Sequence, residues 1–424
     1  MKPKATVAIF RRSLGRGSAL SKLARSKRHK FLDGLCFLCD SRCGGKSVVA
    51  LFPEQSVGET VFWMKANPTY QDYAANHLDT VLGYLKKSVH ANTDGVRLSA
   101  EAITRRSIAR STQRVHNYRC RLSKLVLKDA SQSRIEVSAA GTLSCKTRSE
   151  RRSKLMSHIA DALQQELEGL IALKYSHERL CEKSYKFRYQ PAYEMLKREI
   201  ADSSEDVWTR IRHHIGRLGQ WHKMVASLVR DARSFALAVE NYQVASIPPP
   251  EIGKRPSLTV DADLERLVLR GFPNYRGTSL CDELVTGISR SETPLTWFRS
   301  NKLVPRPHAE TVALVFASSQ GMRMVNDDRY IGCSKPSCYC CSLYMKYHPG
   351  GFRPRPTHGN VWVLWCLPQA HHLDQVDITS LSILRHMANE TRDLTEAILT
   401  KGRAISRRKF DSTTGICTTL VRRS

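Results

Sequence analysis

A single histidine and a later pair of cysteines constrain this chain more than any other feature. His308-Ala309-Glu310 is followed by Cys338 and Cys341, which are separated by two residues. One histidine and two cysteines are the protein ligands that a catalytic zinc ion uses when its fourth position stays open for water. A fold that uses these ligands must bring both segments to one point, with the Glu310 carboxylate beside the ion as a proton carrier.

The residues around His308 predict that a helix begins there. Pro305 and Pro307 come just before an apolar run at helical spacing over 310–319. Proline followed by such a run is typical of a helix start. Residues two positions apart on a helix point to nearly opposite sides. His308 and Glu310 can therefore converge on one ion only at the N-terminal end of this helix.

The two cysteines are predicted to lie at the start of a second helix, over 338–346. Because they are three residues apart, they share one face of that helix, and Ser337 is its expected capping residue. The positive end of the helix dipole stabilises thiolates, which are the form of cysteine that binds metal. Strands are expected on either side of this helix, over 330–333 and 359–368.

Other cysteines leave alternatives open. Cys333 lies on an expected strand and Cys340 lies between the two assigned ligands, so each is a candidate to replace a ligand. Cys36, Cys39 and Cys43 are candidates for a second zinc site without an obvious fourth ligand. The alternative is that Cys36 and Cys39 are packing residues on the apolar face of a helix.

The segment that contains these motifs resembles the cytidine deaminase superfamily. Within it, the segment is similar to the deaminase-like proteins widespread in fungi, relatives of which also occur as bacterial toxin domains. The resemblance covers roughly residues 300–370 and rests on Pro307-His308-Ala309-Glu310, Tyr330-Ile-Gly-Cys-Ser-Lys-Pro-Ser-Cys-Tyr-Cys-Cys341 and Thr357-His358-Gly359. The superfamily usually has proline directly before the first zinc cysteine, whereas this chain has Ser337 there and Pro336 one position earlier.

The resemblance implies an α/β fold, a cytidine-deaminase-like mixed sheet flanked by helices. Deaminases of this fold begin with a helix and a β-hairpin before the His-x-Glu helix. An apolar helical face within 31–43 and two strand-like segments, 47–52 and 60–64, fit that order. A large, mostly α-helical insertion would then separate them from the zinc motifs.

We therefore divide the chain into five parts. They are a basic tail (1–30), a helix plus β-hairpin that could begin the deaminase core (31–70), a mainly helical region that ends in a proline-rich linker (71–257), a zinc-binding deaminase-like region (258–375), and a C-terminal helix with a basic tail (376–424). The first thirty residues are open to three interpretations: a plain tail, a nuclear address or a mitochondrial presequence.

The charge of the chain favours a polyanionic partner. There are 67 Lys+Arg against 39 Asp+Glu, which gives a formal net charge of +28. We expect nucleic acid, as RNA or single-stranded DNA, or nucleotides. The alternative is that basic tails inflate the total, but a basic stretch over 105–128 also lies in the middle of the chain. The oligomeric state is not predicted.

Hydropathy and cysteine usage favour an intracellular protein. No run of eighteen apolar residues occurs, so no membrane span is expected. The 13 cysteines are an odd number at irregular spacing, which favours free or metal-bound thiols in a reducing compartment. A nuclear or cytoplasmic location is expected, with a mitochondrial one allowed by the N-terminus.

The resulting hypothesis is a zinc-dependent hydrolytic deaminase that acts on cytosine or adenine. The charge favours a base within nucleic acid, and the free nucleoside stays open as the alternative. His308, Cys338 and Cys341 would hold Zn²⁺, and Glu310 would be the catalytic residue. Phe352, Arg353, Arg355 and His358 are candidates for a wall that stacks on the base or holds phosphate, or else for a plain surface loop. Two alternatives remain: a nucleic-acid-binding protein with structural zinc that a fourth protein ligand closes, and a toxin-like effector with the same chemistry.

Overall fold

The chain has a mixed α/β fold with a small sheet flanked by helices. The computed structural model describes residues 27–45, 47–139, 176–191, 193–194, 207–249, 263–289, 305–362, 364–368 and 378–401. The predicted basic tail at 1–26 and the amphipathic segment at 158–173 lie outside these residues. No helix in the described ranges is long and apolar enough to cross a membrane.

The helices and strands of the described residues are numbered in chain order. The helices are α1 (Lys27–Cys39), α2 (Gln71–Val89), α3 (Thr93–Arg110), α4 (Thr112–Ala139), α5 (His177–Phe187), α6 (Val207–Leu218), α7 (Gln220–Ala232), α8 (Ala236–Glu240), α9 (Leu264–Gly271), α10 (Ser279–Ser289), α11 (Ala309–Ser319), α12 (Tyr339–Tyr347) and α13 (Ile378–Lys401). The strands are β1 (Ala50–Gln55), β2 (Thr60–Lys65), β3 (Tyr242–Ser246) and β4 (Gly332–Cys333).

The chain forms two units. The sheet unit comprises Met1–Asp33, Val48–Asp72 and Gln243–Ser424, and the helical unit comprises Gly34–Ser47 and Tyr73–Tyr242. The long helices α2 to α7 belong to the helical unit, whereas α9 to α13 belong to the sheet unit. The residues that carry the predicted chemistry therefore lie in one unit.

The four strands form one sheet in the order β3-β2-β1-β4. β1 and β2 are an antiparallel hairpin in which Ala50 lies opposite Lys65. β1 also pairs antiparallel with β4, with Ala50 opposite Cys333 and Leu51 opposite Gly332. The N-terminal hairpin thus shares a sheet with the strand that leads into the cysteine-containing helix.

An apolar core lies beside this sheet. Ala50 and Phe52 of β1 pack with the buried face of α11, with Tyr339, Leu343 and Tyr344 of α12, and with Ile383 and Met387 of α13. The apolar residues of α11 recur at helical spacing. Val312, Ala313, Leu314 and Ala317 among them are buried. Because α11 and α12 both pack on this core, the core sets where their first residues lie.

Several elements differ from the sequence-based expectations. The expected strand over 359–368 is wrong: this segment makes only isolated bridges, between Arg306 and Trp365 and, just before it, between Ser337 and Thr357. An apolar run does not reveal whether a partner strand is available, and Trp362 of this run is 46% exposed. The polar, Ser/Thr-rich composition of residues 130–150 predicts a loop, which is wrong for 130–139 because α4 continues to Ala139.

Two other boundaries bear on the sheet. β3 includes Ala245 and Ser246, which were expected to begin a proline-rich linker. Ile247 follows β3 and donates its N–H to the Met64 carbonyl at 2.8 Å. The apolar spacing over 207–239 predicts one or two helices with a division near Gly216–Gly219, and the structure has two, α6 and α7, on either side of Gly219.

Close packing of α1 against β4 predicts a requirement for glycine at position 332. A Cβ atom on Gly332 would lie 2.7 Å from Leu32 Cβ and 3.0 Å from the Leu32 carbonyl carbon. We expect Gly332→Ala to lower the free energy of unfolding by about 1–3 kcal/mol, because overpacking forces the backbone to shift. Urea denaturation of the purified protein measures this change.

The matched control is Gly271→Ala at the end of α9, where a Cβ would meet no atom within 4 Å. This variant should leave the urea midpoint unchanged or raise it slightly. Equal midpoints for the two variants would contradict the close packing of α1 on β4.

Candidate metal centre

The three predicted metal ligands lie together in the sheet unit. His308 Nδ1 is 3.4 Å from Cys338 Sγ and 3.3 Å from Cys341 Sγ. All three ligand atoms lie within 4.8 Å of one another, and they are the one such group of His, Cys, Asp or Glu found among the described residues. In a tetrahedral site with Zn–N and Zn–S bonds of ordinary length, the N···S separation is about 3.6 Å. The observed spacing therefore fits a zinc-sized ion.

His308 is held at the N-terminal end of α11. It is the residue just before the helix, with extended backbone angles, and its carbonyl accepts N–H donations from Thr311 and Val312 at 3.1 and 3.0 Å. The hydroxyl of Thr311 donates to the same carbonyl at 2.9 Å. The predicted helix start is confirmed, and its first turn fixes the backbone from which the imidazole projects.

The two cysteines lie at the N-terminal end of α12. Cys338 is the capping residue, and its Sγ accepts the N–H of Cys341 at 3.4 Å. The expectation that Ser337 caps this helix is wrong by one residue. Ser337 instead forms a bridge with Thr357, which extends its backbone and leaves the capping position to Cys338. The cap geometry brings the sulfur of Cys338 toward the positive helix end.

Burial makes these thiols unsuited to carry charge without a cation. Burial, with the charge of Glu310 as a smaller contribution, raises the pKa of Cys341 to about 12. The pKa of Cys338 is raised well above its ordinary value for the same leading reason. A divalent cation between the sulfurs offsets this cost, and its binding releases protons because thiolates are the ligands. The donor set is therefore one that a soft-to-borderline metal fits.

Glu310 lies in the first turn of α11 beside the ligands. Its side chain is buried, with 4% of the residue exposed. Its carboxylate is close enough to both sulfurs that its charge contributes to raising the pKa of Cys338 and of Cys341, after the larger effect of burial. The structure therefore brings the predicted proton carrier to the same place as the predicted ligands.

The segment 356–360 holds the cysteine loop through its backbone. Ser337 N–H donates to the Pro356 carbonyl at 2.8 Å, and the Ser337 carbonyl accepts from His358 N–H at 3.1 Å. The Thr357 hydroxyl also donates to the Ser337 carbonyl, at 2.9 Å. Tyr339 N–H donates to the Asn360 carbonyl at 3.0 Å. These contacts explain why the Thr357-His358-Gly359 motif accompanies the cysteines.

A buried ion pair fixes the strand that precedes the cysteine loop. Arg355 Nη2 lies 2.8 Å from Asp33 Oδ1 of α1 and donates to the Cys333 carbonyl at 3.1 Å, while Nη1 donates to the Lys335 carbonyl at 3.0 Å. The Tyr330 hydroxyl donates to the other Asp33 oxygen at 2.9 Å. Sequence reasoning missed Asp33, because nothing in one sequence pairs a carboxylate with an arginine 322 positions away.

The four residues predicted to contact substrate occupy different environments. Arg355 is buried in the ion pair just described, and Phe352 packs in the core, with its ring 5.6 Å from the His348 ring. Arg353 is exposed and lies 2.7 Å from the Asp328 carboxylate. His358 is half-buried, and its Nδ1 accepts the Asn360 N–H at 3.0 Å. Contact of these residues with a substrate stays a prediction.

The other cysteines that the structure describes do not join the three-ligand group. Cys333 is buried behind the site, and burial raises its pKa to about 12. Cys340 is half-buried, and a hydrogen bond with Cys338 contributes most to raising its pKa. Cys36 and Cys39 are buried in α1, as packing residues would be. Neither these two nor Cys43 belongs to a metal-spaced group in the described part of the chain.

Comparison with known proteins agrees with the chemistry of this centre. Residues 307–369 match the model of a family described as OTT_1508-like deaminase. The matched segment begins one residue before His308 and contains Glu310, Cys338 and Cys341. No curated protein and no solved structure gives a significant match to the chain. The matched segment supports a deaminase, and a His-Cys-Cys group that could hold a metal ion lies within it.

The geometry predicts which thiol is needed for metal binding. Removal of a residue that only orients a metal ligand typically lowers metal affinity about 10–100-fold. Cys338→Ser removes a ligand itself, so it should lower the affinity for a divalent metal ion by more than this. Cys340→Ser removes a thiol two positions away that lies outside the ligand group, and should keep the metal. Metal content after dialysis, measured by atomic emission, separates the two variants. Equal loss in both would contradict the assigned ligands.

The ion pair predicts different roles for two neighbouring arginines. Arg355→Ala removes the buried guanidinium from the partly buried Asp33 carboxylate, which keeps its bonds from Tyr330 and Cys333, and should cost about 2–4 kcal/mol in the free energy of unfolding. Arg353→Ala should cost no more than about 1 kcal/mol, because its side chain is exposed and Asp328 also contacts Arg28 and His29. Denaturant unfolding of both variants checks this order, and an equal cost would contradict it.

Proposed function

We propose that the chain is a zinc-dependent hydrolytic deaminase that acts on a nucleobase. The observation that carries the proposal is the convergence of His308, Cys338, Cys341 and Glu310 within the segment that matches a deaminase family. When bound, zinc supplies a Lewis acid that makes water acidic enough to attack near neutral pH. The protein residues must then move protons and hold the base.

Glu310 is the group that moves protons in this proposal. A carboxylate in the first turn of α11 can take one proton from water and deliver it to a ring nitrogen of the base while the hydroxyl adds to the amidine carbon. It can then pass the proton of that hydroxyl to the amino group, which leaves as ammonia when the C–N bond breaks and the C=O bond forms. Its burial removes competing water, which strengthens its interaction with the groups around it. Cytosine and adenine both carry the amidine that this chemistry needs, so either base fits the proposal.

The ligand count favours an enzyme over a structural zinc protein. A structural site closes the metal with four protein ligands, whereas a catalytic site leaves one position for water. Among the described residues the group contains three ligands. Cys333 and Cys340, which could have closed the site, lie outside this group. The test below distinguishes this enzyme from a nucleic-acid-binding protein on a deaminase scaffold.

The test is ammonia release by the purified protein from RNA, from single-stranded DNA and from free nucleosides. Glu310→Gln should lower the rate by at least about 10²-fold, the usual contribution of a general acid–base group, and should keep the zinc. His308→Ala should lose both zinc and activity. Glu283→Gln, which changes an exposed carboxylate of α10, is the matched control and should behave as wild type.

The outcomes separate the hypotheses. Glu310-dependent ammonia release supports the deaminase and names its substrate class. Stoichiometric zinc without ammonia from any of the three substrates would overturn the enzyme in favour of the binding protein. Full activity of Glu310→Gln would remove the role assigned to this carboxylate.

A further inference from the structure

One face of the helical unit carries cations that are held on tyrosine rings. In α2 and α3, Lys87 Nζ lies 5.6 Å from the centroid of the Tyr84 ring, and the Arg106 guanidinium lies 5.7 Å from the same centroid. The Arg110 guanidinium lies 3.2 Å from the centroid of the Tyr73 ring. We name these five residues the tyrosine–cation face. Three cations within 6 Å of two ring centroids thus form a local cluster of cation–π contacts on α2 and α3.

The cations of this face are not neutralised. None of the three has a carboxylate partner within 4.0 Å among the described residues. A tyrosine ring holds an ammonium or guanidinium group in place without cancelling its charge. The side chains of Lys87 and Arg106 are exposed and can meet an anion, whereas Arg110 Nη2 donates to the Tyr73 carbonyl and its Nε is buried. Preorganised cations of this kind bind polyanions with a smaller loss of side-chain entropy.

The carboxylates of these two helices lie on other faces. At about 100° per residue, Tyr73 and Tyr84 lie within about 20° of each other on α2, whereas Asp72 and Asp79 lie about 100–140° from these rings and about 60–80° from Lys87. On α3, Arg97 pairs with Asp94 and Glu101, with Nη1 2.8 Å from the Glu101 carboxylate. This trio lies roughly opposite Arg106 and Arg110. The tyrosine–cation face is thus positive over its own width.

We infer that the tyrosine–cation face binds single-stranded nucleic acid, an inference that rests on the proposed function for its choice of polyanion. Lys87 and Arg106 would contact phosphates, and the partly exposed rings would stack with bases. Tyr73 is 46% exposed, with the Arg110 guanidinium over one face of its ring. Alternating cations and aromatic rings are what single-strand binding needs, since every base has a face that stacks. A deaminase also needs its target base out of a duplex.

The experiment measures binding of the full-length protein to a labelled single-stranded oligonucleotide of mixed sequence, in RNA and in DNA form, by fluorescence anisotropy. Lys87→Gln combined with Arg106→Gln should weaken binding about tenfold near 0.15 M salt, because two phosphate contacts are lost. The slope of log affinity against log salt should fall by about 1.4, at about 0.7 for each contact.

Two matched controls separate this surface from general charge. Arg97→Gln removes an exposed arginine from the opposite side of the same helix and should change the affinity little. Tyr84→Leu should weaken binding, whereas Tyr189→Leu, which removes an exposed tyrosine of the same unit, should not. Thermal melts of each variant establish that the helical unit is folded.

The inference and the proposed function fail in different ways. Equal affinities of the Lys87/Arg106 variant and of Arg97→Gln would overturn the tyrosine–cation face, even if ammonia release depends on Glu310. Binding of phosphatidylserine vesicles but not of oligonucleotides, with the same dependence on Lys87 and Arg106, would also overturn it in favour of a membrane surface. Face-dependent binding with no ammonia release would leave the inference standing and remove the deaminase.

Discussion

The burial of two cysteine sulfurs next to a carboxylate is the arrangement on which the site depends. Cys338 and Cys341 are almost fully buried, and Glu310 beside them is buried as well. Each of these groups costs free energy when it ionises away from water, and their charges repel. A cation at the sulfurs reverses the balance, because it attracts all three groups in a medium that screens weakly. Metal binding and correct local folding should therefore be coupled in this part of the chain.

The ends of α11 and α12 reach this arrangement because a small sheet and a buried ion pair position them. β4 is only two residues long and pairs with β1 through two positions, which gives little ladder energy of its own. The Asp33–Arg355 pair adds the missing restraint, since one guanidinium bonds to a carboxylate of α1 and to the carbonyls of Cys333 and Lys335. The residues that make these contacts lie on both sides of the stretch Tyr73–Tyr242, which belongs to the helical unit.

The sequence alone predicted the metal ligands, but it did not predict the tertiary contacts that hold them in place. The spacing of His308, Cys338 and Cys341 predicted three converging ligands, and the prolines before α11 predicted its start, because both features are local. The cap of α12 was misplaced by one residue, since the bridge of Ser337 to Thr357 is a tertiary contact. The strand expected after Gly359 fails for a related reason, because hydrophobicity does not provide a partner strand. Asp33 was not recognised, since its partner lies at the far end of the chain.

The distribution of uncompensated charge assigns different physical tasks to the two units. In the sheet unit, arginines of the loop near the metal centre are engaged by carboxylates: Arg355 by Asp33, and Arg353 by Asp328. In the helical unit, Lys87 and Arg106 lie over a tyrosine ring and have no carboxylate partner among the described residues. Neutralised arginines add little long-range attraction, whereas unneutralised cations raise the local concentration of a polyanion. We therefore propose that a charged strand is captured by the helical unit and that protons are transferred at the buried centre of the sheet unit.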